Sequence, residues 1–487
     1  MLAWPGLLFV LIGVVCGIAV GILPGVGGAG ATALLIPISY SMDPAHAIGF
    51  LMAVALSSGL GGQITSILIN IPGDPPNAAT TLDGFPMSRQ GKAPEALAAA
   101  TVASVIGAVI GLALLLAVLP LAREIVLSFS YPEFFMVAFT GLVMVAALTR
   151  GHVFKGLISA GLGMLIAMIG LDPINASPRF AFGQLYLWEG IDIVPALIGL
   201  FAGAEMLAMF SRRGASGVVR MDAQGTQSRL FDGLVSTVRH WKTVIMASVL
   251  GFATGLIPGL GGTVASFIAY GQAARISPNP ELFGKGAVDG VIAAEAANDA
   301  DRGGGLLPTV VFGIPGGTLM AVLLAGLLLH GVPVGPELLR DDMDVVYLLV
   351  MAALIPRLIA AGLVLALSRQ AILVTRMRGD VLAPIIAVVA IIGVFALNGY
   401  MTDVLVMLIF SYVGYAMEKH GFSRVALIIA LVLGGLLEQS FHQTVETFGV
   451  GGFFTRPISL CLFIVSMLAL FAPLLSRLVR GRRRAAA

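Results

Sequence analysis

Residues 17–28 read GIAVGILPGVGG, and residues 251–262 read GFATGLIPGLGG. Gly17, Gly21, Pro24, Gly25, Gly27 and Gly28 recur as Gly251, Gly255, Pro258, Gly259, Gly261 and Gly262, always 234 residues later. A second set, Gly61, Gly62, Asn70, Pro72 and Gly73, is matched by Gly304, Gly305, Gly313, Pro315 and Gly316 at a distance of 243 residues. Two motifs in the same order at nearly the same offset mark an internal repeat. Each motif puts Pro-Gly inside an apolar run. Proline removes a donor and clashes with the preceding turn, so helices are predicted to break at Pro24-Gly25, Pro72-Gly73, Pro258-Gly259 and Pro315-Gly316.

Around these motifs the chain has the composition of a membrane protein. Of its 487 residues 58% are hydrophobic and only 11% charged, against roughly 25% charged in soluble proteins. Mean hydropathy is +0.99. Asp43 is the one charge in residues 1–73, and residues 96–122 and 243–274 carry none. About 20 apolar residues span a bilayer, so these runs cross. Cys16 and Cys461 lie in apolar stretches and read as small buried hydrophobes, not as a disulfide. MLAWPG, at the start, lacks a basic region and reads as part of a retained first helix. The sequence holds no phosphate-loop motif, no His-Glu-x-x-His motif, and no basic–aromatic pattern for nucleic acid.

Short cytoplasmic loops collect Lys and Arg. With Arg89/Lys92, Arg150/Lys155, Arg212 to Lys242, Arg376/Arg378, Lys419/Arg424 and Arg477 to Arg484 placed inside, the apolar segments alternate. Segments 94–120, 153–171, 241–257, 381–398 and 425–440 run outward, and 133–149, 194–211, 344–370, 402–417 and 457–476 run inward. The C-terminus is then cytoplasmic and the N-terminus periplasmic. Equivalent segments 94–120 and 344–370 point opposite ways, as in transporters with inverted repeats. The expected fold is an all-α polytopic membrane protein with two inverted-topology repeats, discontinuous or re-entrant helices, and roughly 10–14 membrane segments. Its parts are a first repeat over 1–210, a cytoplasmic linker over 211–241, a second repeat over 242–440, and a final helix with a basic tail over 441–487.

A backbone group freed in lipid costs several kcal/mol unless protein or water satisfies it. Four paired breaks therefore favour a functional reading over mere helix kinking. Half-helices starting after the breaks would turn free N–H groups and positive dipole ends toward a carboxylate. Carbonyls at the opposite ends could hold Na⁺. Thr65, Ser66 and Asn70, with Ser266, Thr309 and Thr318, lie beside the breaks and can complete a shell; taken singly, each hydroxyl is expected to bond back to its own helix. In the stretch Lys285 to Arg302, Lys285 and Asp289 read as solvated, while Glu295 to Asn298 read as lining a permeation path, with Glu295 protonatable. Arg357 sits within an otherwise uncharged helix, where a site role and pairing with a carboxylate on a neighbouring helix are equally open. His46, His330 and His442 read as polar helix ends.

Together the strings GILPGVGG, GGQITSILINIPG, LDGFPMSRQGKAPEAL, GLIPGLGGTVASFIAYGQA, FGKGAVDGVIAAEAAN, GLLPTVVFGIPGG and HGVPVGPELL, with PALIGLFAGAEML and LVLGGLLE, span nearly the whole chain. They resemble the large membrane subunit of the tripartite tricarboxylate transporter family. The resemblance implies a proton- or sodium-coupled importer of small carboxylates in a bacterial inner membrane. It implies two partners, a small membrane subunit of about four helices and a periplasmic solute-binding protein, and no cofactor beyond the coupling H⁺ or Na⁺. It would place the site at Pro24 to Gly28 and Pro258 to Gly262, with Asn70 and Glu295 to Asn298 nearby. The chain departs from the family pattern at Asp299, where a second asparagine is expected, followed by Asp301 and Arg302, and at Arg357. The extra charge leaves open a ligand other than citrate, carrying an amine or a single charge.

The expected site is therefore Pro24, Gly25, Gly27, Gly28, Thr65, Ser66, Asn70, Gly73, Pro258, Gly259, Gly261, Gly262, Ser266, Glu295, Asn298, Thr309, Pro315 and Gly316. Alternatives are a stand-alone organic-anion symporter, a channel, and a membrane-embedded enzyme built on Asp299 and Asp301. An enzyme is not expected, because that pair lacks flanking catalytic groups and leaves the repeat unexplained.

Overall fold

The computed structural model describes residues 4–23, 26–147, 153–172, 174–211, 228–368 and 379–485. Pro24 and Gly25, and the basic positions Arg150, Arg212, Arg376 and Arg378, lie outside these. The first part of the chain forms α1 (Gly6–Gly21), α2 (Gly27–Ser39), α3 (Pro44–Ile69), α4 (Ala78–Arg89), α5 (Ala93–Leu127), α6 (Tyr131–Ala147), α7 (Val153–Ala167), α8 (Ile193–Ile198) and α9 (Ala204–Ser211). Then follow α10 (Leu230–Arg239), α11 (Trp241–Gly255), α12 (Gly261–Ile276), α13 (Val288–Phe312), α14 (Thr318–Leu329), α15 (Pro336–Asp341) and α16 (Met343–Ala366). The last elements are α17 (Gly379–Asn398), α18 (Met401–Lys419), α19 (Arg424–Phe448), α20 (Gly452–Thr455) and α21 (Pro457–Ala485). Among the described residues the only strands are Gly170–Leu171 and Pro178–Arg179, paired antiparallel. Among the described residues five helices, α3, α5, α16, α18 and α19, are long and apolar enough to cross a membrane. The fold is an all-α polytopic membrane protein.

Helix ends fall where the sequence interrupts itself. α3 stops at Asn70 and α13 at Gly313, both left-handed (φ 59° and 69°) and both followed two residues later by proline. That is a helix C-cap followed by a residue that cannot continue the helix. α1 and α11 stop before the Pro-Gly elements, and α2 and α12 restart at Gly27 and Gly261. The elbows rest on one another with no room for side chains. A Cβ on Gly73 would lie 2.4 Å from the Gly21 carbonyl oxygen and 2.5 Å from Gly62 Cα. One on Gly316 would lie 2.6 Å from Gly305 Cα and 3.1 Å from the Gly255 carbonyl oxygen. At Gly73 and Gly316 glycine serves close packing, as small residues do between membrane helices.

α3 and α13 are the buried heart of the structure. α13 is enclosed from Gly290 to Val311 although it carries Glu295, Asp299, Asp301 and Arg302. It fits because its faces are small. Gly107 and Gly111 of α5 lie on the backbone of Ala296 and Ala300, and Gly251 of α11 lies on Ala297. The expectation of a solvated start holds for Lys285, which is exposed, while Asp289 is half-buried. Neither cysteine is a buried core residue: Cys16 is half-buried and Cys461 exposed, both free, because apolar helix faces here also point outward.

Loops assigned to one side by their charges touch one another. On one side Lys155 donates to the His420 carbonyl (2.7 Å), and Ser236 on α10 donates to Glu95 (3.0 Å). On the other, Asn398 donates to Asp192 (3.0 Å), Tyr186 to Asp403 (2.6 Å), and Arg179 pairs with Glu438. In that hairpin the N–H groups of Asn175 and Ile174 donate to Asp172, holding its carboxyl below the usual carboxylate range.

Overpacking a close backbone contact costs about 1–3 kcal/mol or more. Gly107→Val, whose Cβ would lie 2.3 Å from the Ala296 carbonyl oxygen, should lower the thermal unfolding temperature in detergent. Gly362→Ala, on an exposed face with nothing within 4 Å, should leave it unchanged.

Candidate functional site

Residues 74–83, DPPNAATTLD, leave the second elbow and bind the two halves of the protein together. Asp74 accepts a hydrogen bond from the Gly28 N–H, and its Oδ1 lies 2.8 Å from where a Gly27 Cβ would sit. The start of α2 therefore already holds a carboxylate, with the Ser58 hydroxyl beside Gly28. Pro76 reaches across to the third elbow, 3.2 Å from the position of a Gly262 Cβ. Asn77 donates to Glu295 on α13 (2.9 Å), as do Thr80 and Ser104 (3.4 Å). Asp83 accepts from the Gly286 and Ala287 N–H groups (2.8 and 3.0 Å), fixing the entry to α13.

The third elbow differs from the first. α12 begins at Gly261 (φ 63°), where a Cβ would meet nothing within 4 Å, and Leu260 before it provides no side-chain cap. The first N–H groups of a helix have no partner within it. Facing Gly262 are Asn298 Oδ1 and Asp301 Oδ2, 2.6 and 3.4 Å from a Cβ there. Gly261, Gly262 and Thr263 are partly exposed, so this helix start is reachable from outside the packed core.

The expected site residues divide accordingly. Gly27, Gly28, Gly262, Asn298 and, through Asn77, Glu295 are brought together. Thr65 and Ser66 both donate to the Gly62 carbonyl (3.0 and 2.9 Å) and Thr309 to Gly305 (2.7 Å), each on its own helix. Ser266 donates across to the Ala294 carbonyl (3.1 Å), tying α12 to α13. Asn70 is an exposed C-cap whose contribution is its backbone conformation. Gly73, Pro315 and Gly316 are packing contacts between elbows. Gly259 (φ 88°) donates to the Gly316 carbonyl (3.0 Å) beside Val145, next to the half-buried Pro258. Pro24 and Gly25 lie outside the described residues. Asp74, Asn77, Thr80 and Ser104 were not expected, although an Asp-Pro-Pro-Asn run straight after a predicted break was a visible signal.

Both departures from the family pattern meet each other. Arg357 of α16 pairs with Asp299, and Arg302 lies 3.5 Å from Asp299 and 3.9 Å from Asp74. Both guanidinium groups donate to the Leu56 carbonyl of α3. The charges of Asp299, Arg302 and Arg357 are thus paired inside the protein, while Asp301 stands outside these ion pairs. A cavity of about 20 Å³ beside Leu56, Leu112, Asp299 and Arg357 has room for about one water molecule, too small for an organic acid.

Breaking a buried pair costs about 3–5 kcal/mol because it strands a charge, whereas replacing both partners often costs little. Arg357→Leu alone should sharply reduce thermal stability in detergent, and Asp299→Asn with Arg357→Leu should recover most of the loss.

Residues 7–429 match the tripartite tricarboxylate transporter TctA family. An uncharacterized 52.8 kDa protein of Agrobacterium vitis, in the TAR-I ttuC' 3' region, is 30% identical over 479 residues, covering 97% of this chain and 93% of its own. A second uncharacterized protein of that organism, in the TAR-II ttuC' 3' region, is 28% identical over 235 residues, covering 48% of this chain and 97% of its own. No solved structure matches significantly. The chain is a multi-pass membrane protein that belongs to the tripartite tricarboxylate transporter TctA family, a family of transporters.

Proposed function

We propose that this chain is the membrane-embedded transport subunit of a binding-protein-dependent, ion-gradient-driven importer of small carboxylates, either tricarboxylates or related organic acids. One observation carries the reading. α2 begins on the carboxylate of Asp74, whereas α12, at the matching position of the repeat, begins at the partly exposed Gly261–Gly262, with nothing packed on Gly261 and Asn298 and Asp301 facing Gly262. An elbow that holds an internal carboxylate at one end of the repeat is suited to hold a ligand's carboxylate at the other. Family membership supports the partners: a small four-helix membrane subunit and a periplasmic solute-binding protein, in a bacterial inner membrane. The charge pattern supports a periplasmic N-terminus, a cytoplasmic C-terminus and inverted repeats.

Ion coupling has its own support. Among the described residues Asp74, Glu295, Asp299 and Asp301 share two guanidinium groups, Arg302 and Arg357, so the carboxylates outnumber them. Uncompensated charge away from water is costly, and protons or Na⁺ entering with the ligand would relieve it. Glu295, with its three donors, is the proposed protonatable group.

Uptake into proteoliposomes holding both membrane subunits tests this. It should require the binding protein, and uptake by this subunit alone would favour a stand-alone symporter. Replacing sodium by choline should abolish uptake if Na⁺ is coupled, or leave it dependent on the pH gradient if H⁺ is. Indifference to both contradicts coupling. Gly262→Ala, which crowds Asn298, should lower uptake by at least about tenfold, equivalent to 1.4 kcal/mol, without loss of insertion. Normal uptake by that variant would remove the site from this elbow.

A further inference from the structure

Asn298 and Asp301 stand one turn apart on α13 and lie on one face. They are 2% and 8% exposed, and among the described residues Asn298 Nδ2 and Asp301 Oδ1 have no hydrogen-bond partner. One is a donor and the other an acceptor. The other oxygens of the two side chains, Asn298 Oδ1 and Asp301 Oδ2, face Gly262 at the start of α12, where Leu260 supplies no side-chain cap. Neighbouring polar groups are engaged elsewhere: Glu295 by Asn77, Thr80 and Ser104, Asp299 by Arg357, and Arg302 by Asp74 and the Leu56 carbonyl. An unsatisfied buried donor or acceptor costs about 1–3 kcal/mol. A donor and an acceptor left side by side, next to backbone N–H groups, match a ligand with complementary groups at the same spacing.

We propose that Asp301 is a specificity-determining residue: its Oδ1 accepts a hydrogen bond from a hydroxyl or ammonium group borne next to a carboxylate, while that carboxylate takes the Asn298 amide and the N–H groups at Gly261 and Gly262. The subunit then selects hydroxy- or amino-carboxylates over their unsubstituted twins. A carboxylate alone satisfies the donors but leaves Asp301 unpaired. The substituent completes the set without adding size. This inference rests on the carboxylate reading of the site.

Binding to the purified subunit in nanodiscs, measured by titration calorimetry, tests it directly with matched acids. Malate, aspartate and succinate share a four-carbon skeleton, and citrate with tricarballylate and lactate with propionate extend the comparison. Within each set that binds, the wild-type protein should hold the substituted acid at least about tenfold more tightly, as sites built around a substrate hydroxyl do. Asp301→Ala should bring that ratio to within about twofold. Asp301→Asn, which keeps a carbonyl acceptor but no charge, should retain the preference for a hydroxyl and lose that for aspartate. Equal wild-type affinities within each set overturn the inference even if every variant misfolds, and so does a ratio unchanged in Asp301→Ala. Binding without discrimination leaves the carboxylate reading standing, whereas no binding by any acid fails both.

Discussion

A peptide group released from a helix inside a bilayer has no water to turn to, and the whole arrangement answers that constraint. Each interrupted helix settles its loose ends on another part of the protein. The Gly259 N–H reaches the Gly316 carbonyl, the Gly28 N–H reaches Asp74, and Gly73 and Gly316 press onto Gly62 and Gly305. Contacts this close leave no space for side chains, so glycine dominates both motifs. At the start of α12 the same economy is not complete: Gly261 and Gly262 open toward Asn298 and Asp301 rather than toward packed backbone. The proposed site lies where that closure stops.

The same logic governs charge. α13 carries Glu295, Asp299, Asp301 and Arg302 through the interior, and each of Glu295, Asp299 and Arg302 is tied to another element. Asp299 meets Arg357 of α16, Arg302 meets Asp74 and α3, and Glu295 meets α4 and α5. These ties join α13 to α3, α4, α5 and α16. Any change in the charge of the cluster is therefore felt by several helices at once, which is the physical requirement for coupling an ion to a conformational step.

Much of this was legible in the sequence. Segment 94–120 became α5 and segment 402–417 became α18, because apolar runs of that length with a single charge near one end have one low-energy form in lipid. The breaks at Pro72 and Pro315 were legible because proline followed, two residues on, an Asn or Gly able to turn left-handed. Proline alone was a poor guide, since Pro308 and Pro356 remain inside α13 and α16. Pairing of charges was not readable: Asp299 and Arg357 stand 58 positions apart, and nothing local joins them. The hydroxyls of Thr65, Ser66 and Thr309 follow the local rule of bonding back to their own helix. The place of Asp74 was not legible, because nothing local in the sequence marks a charge after a break as folded back onto α2.

The central claim is that a ligand carboxylate sits at the start of α12, held by main-chain N–H groups. A cryo-electron microscopy map of the subunit with a bound carboxylate tests it most directly. The account predicts ligand density within hydrogen-bond distance of the Gly261 and Gly262 N–H groups and of Asn298. Density elsewhere, with the first turn of α12 covered by protein, would contradict it.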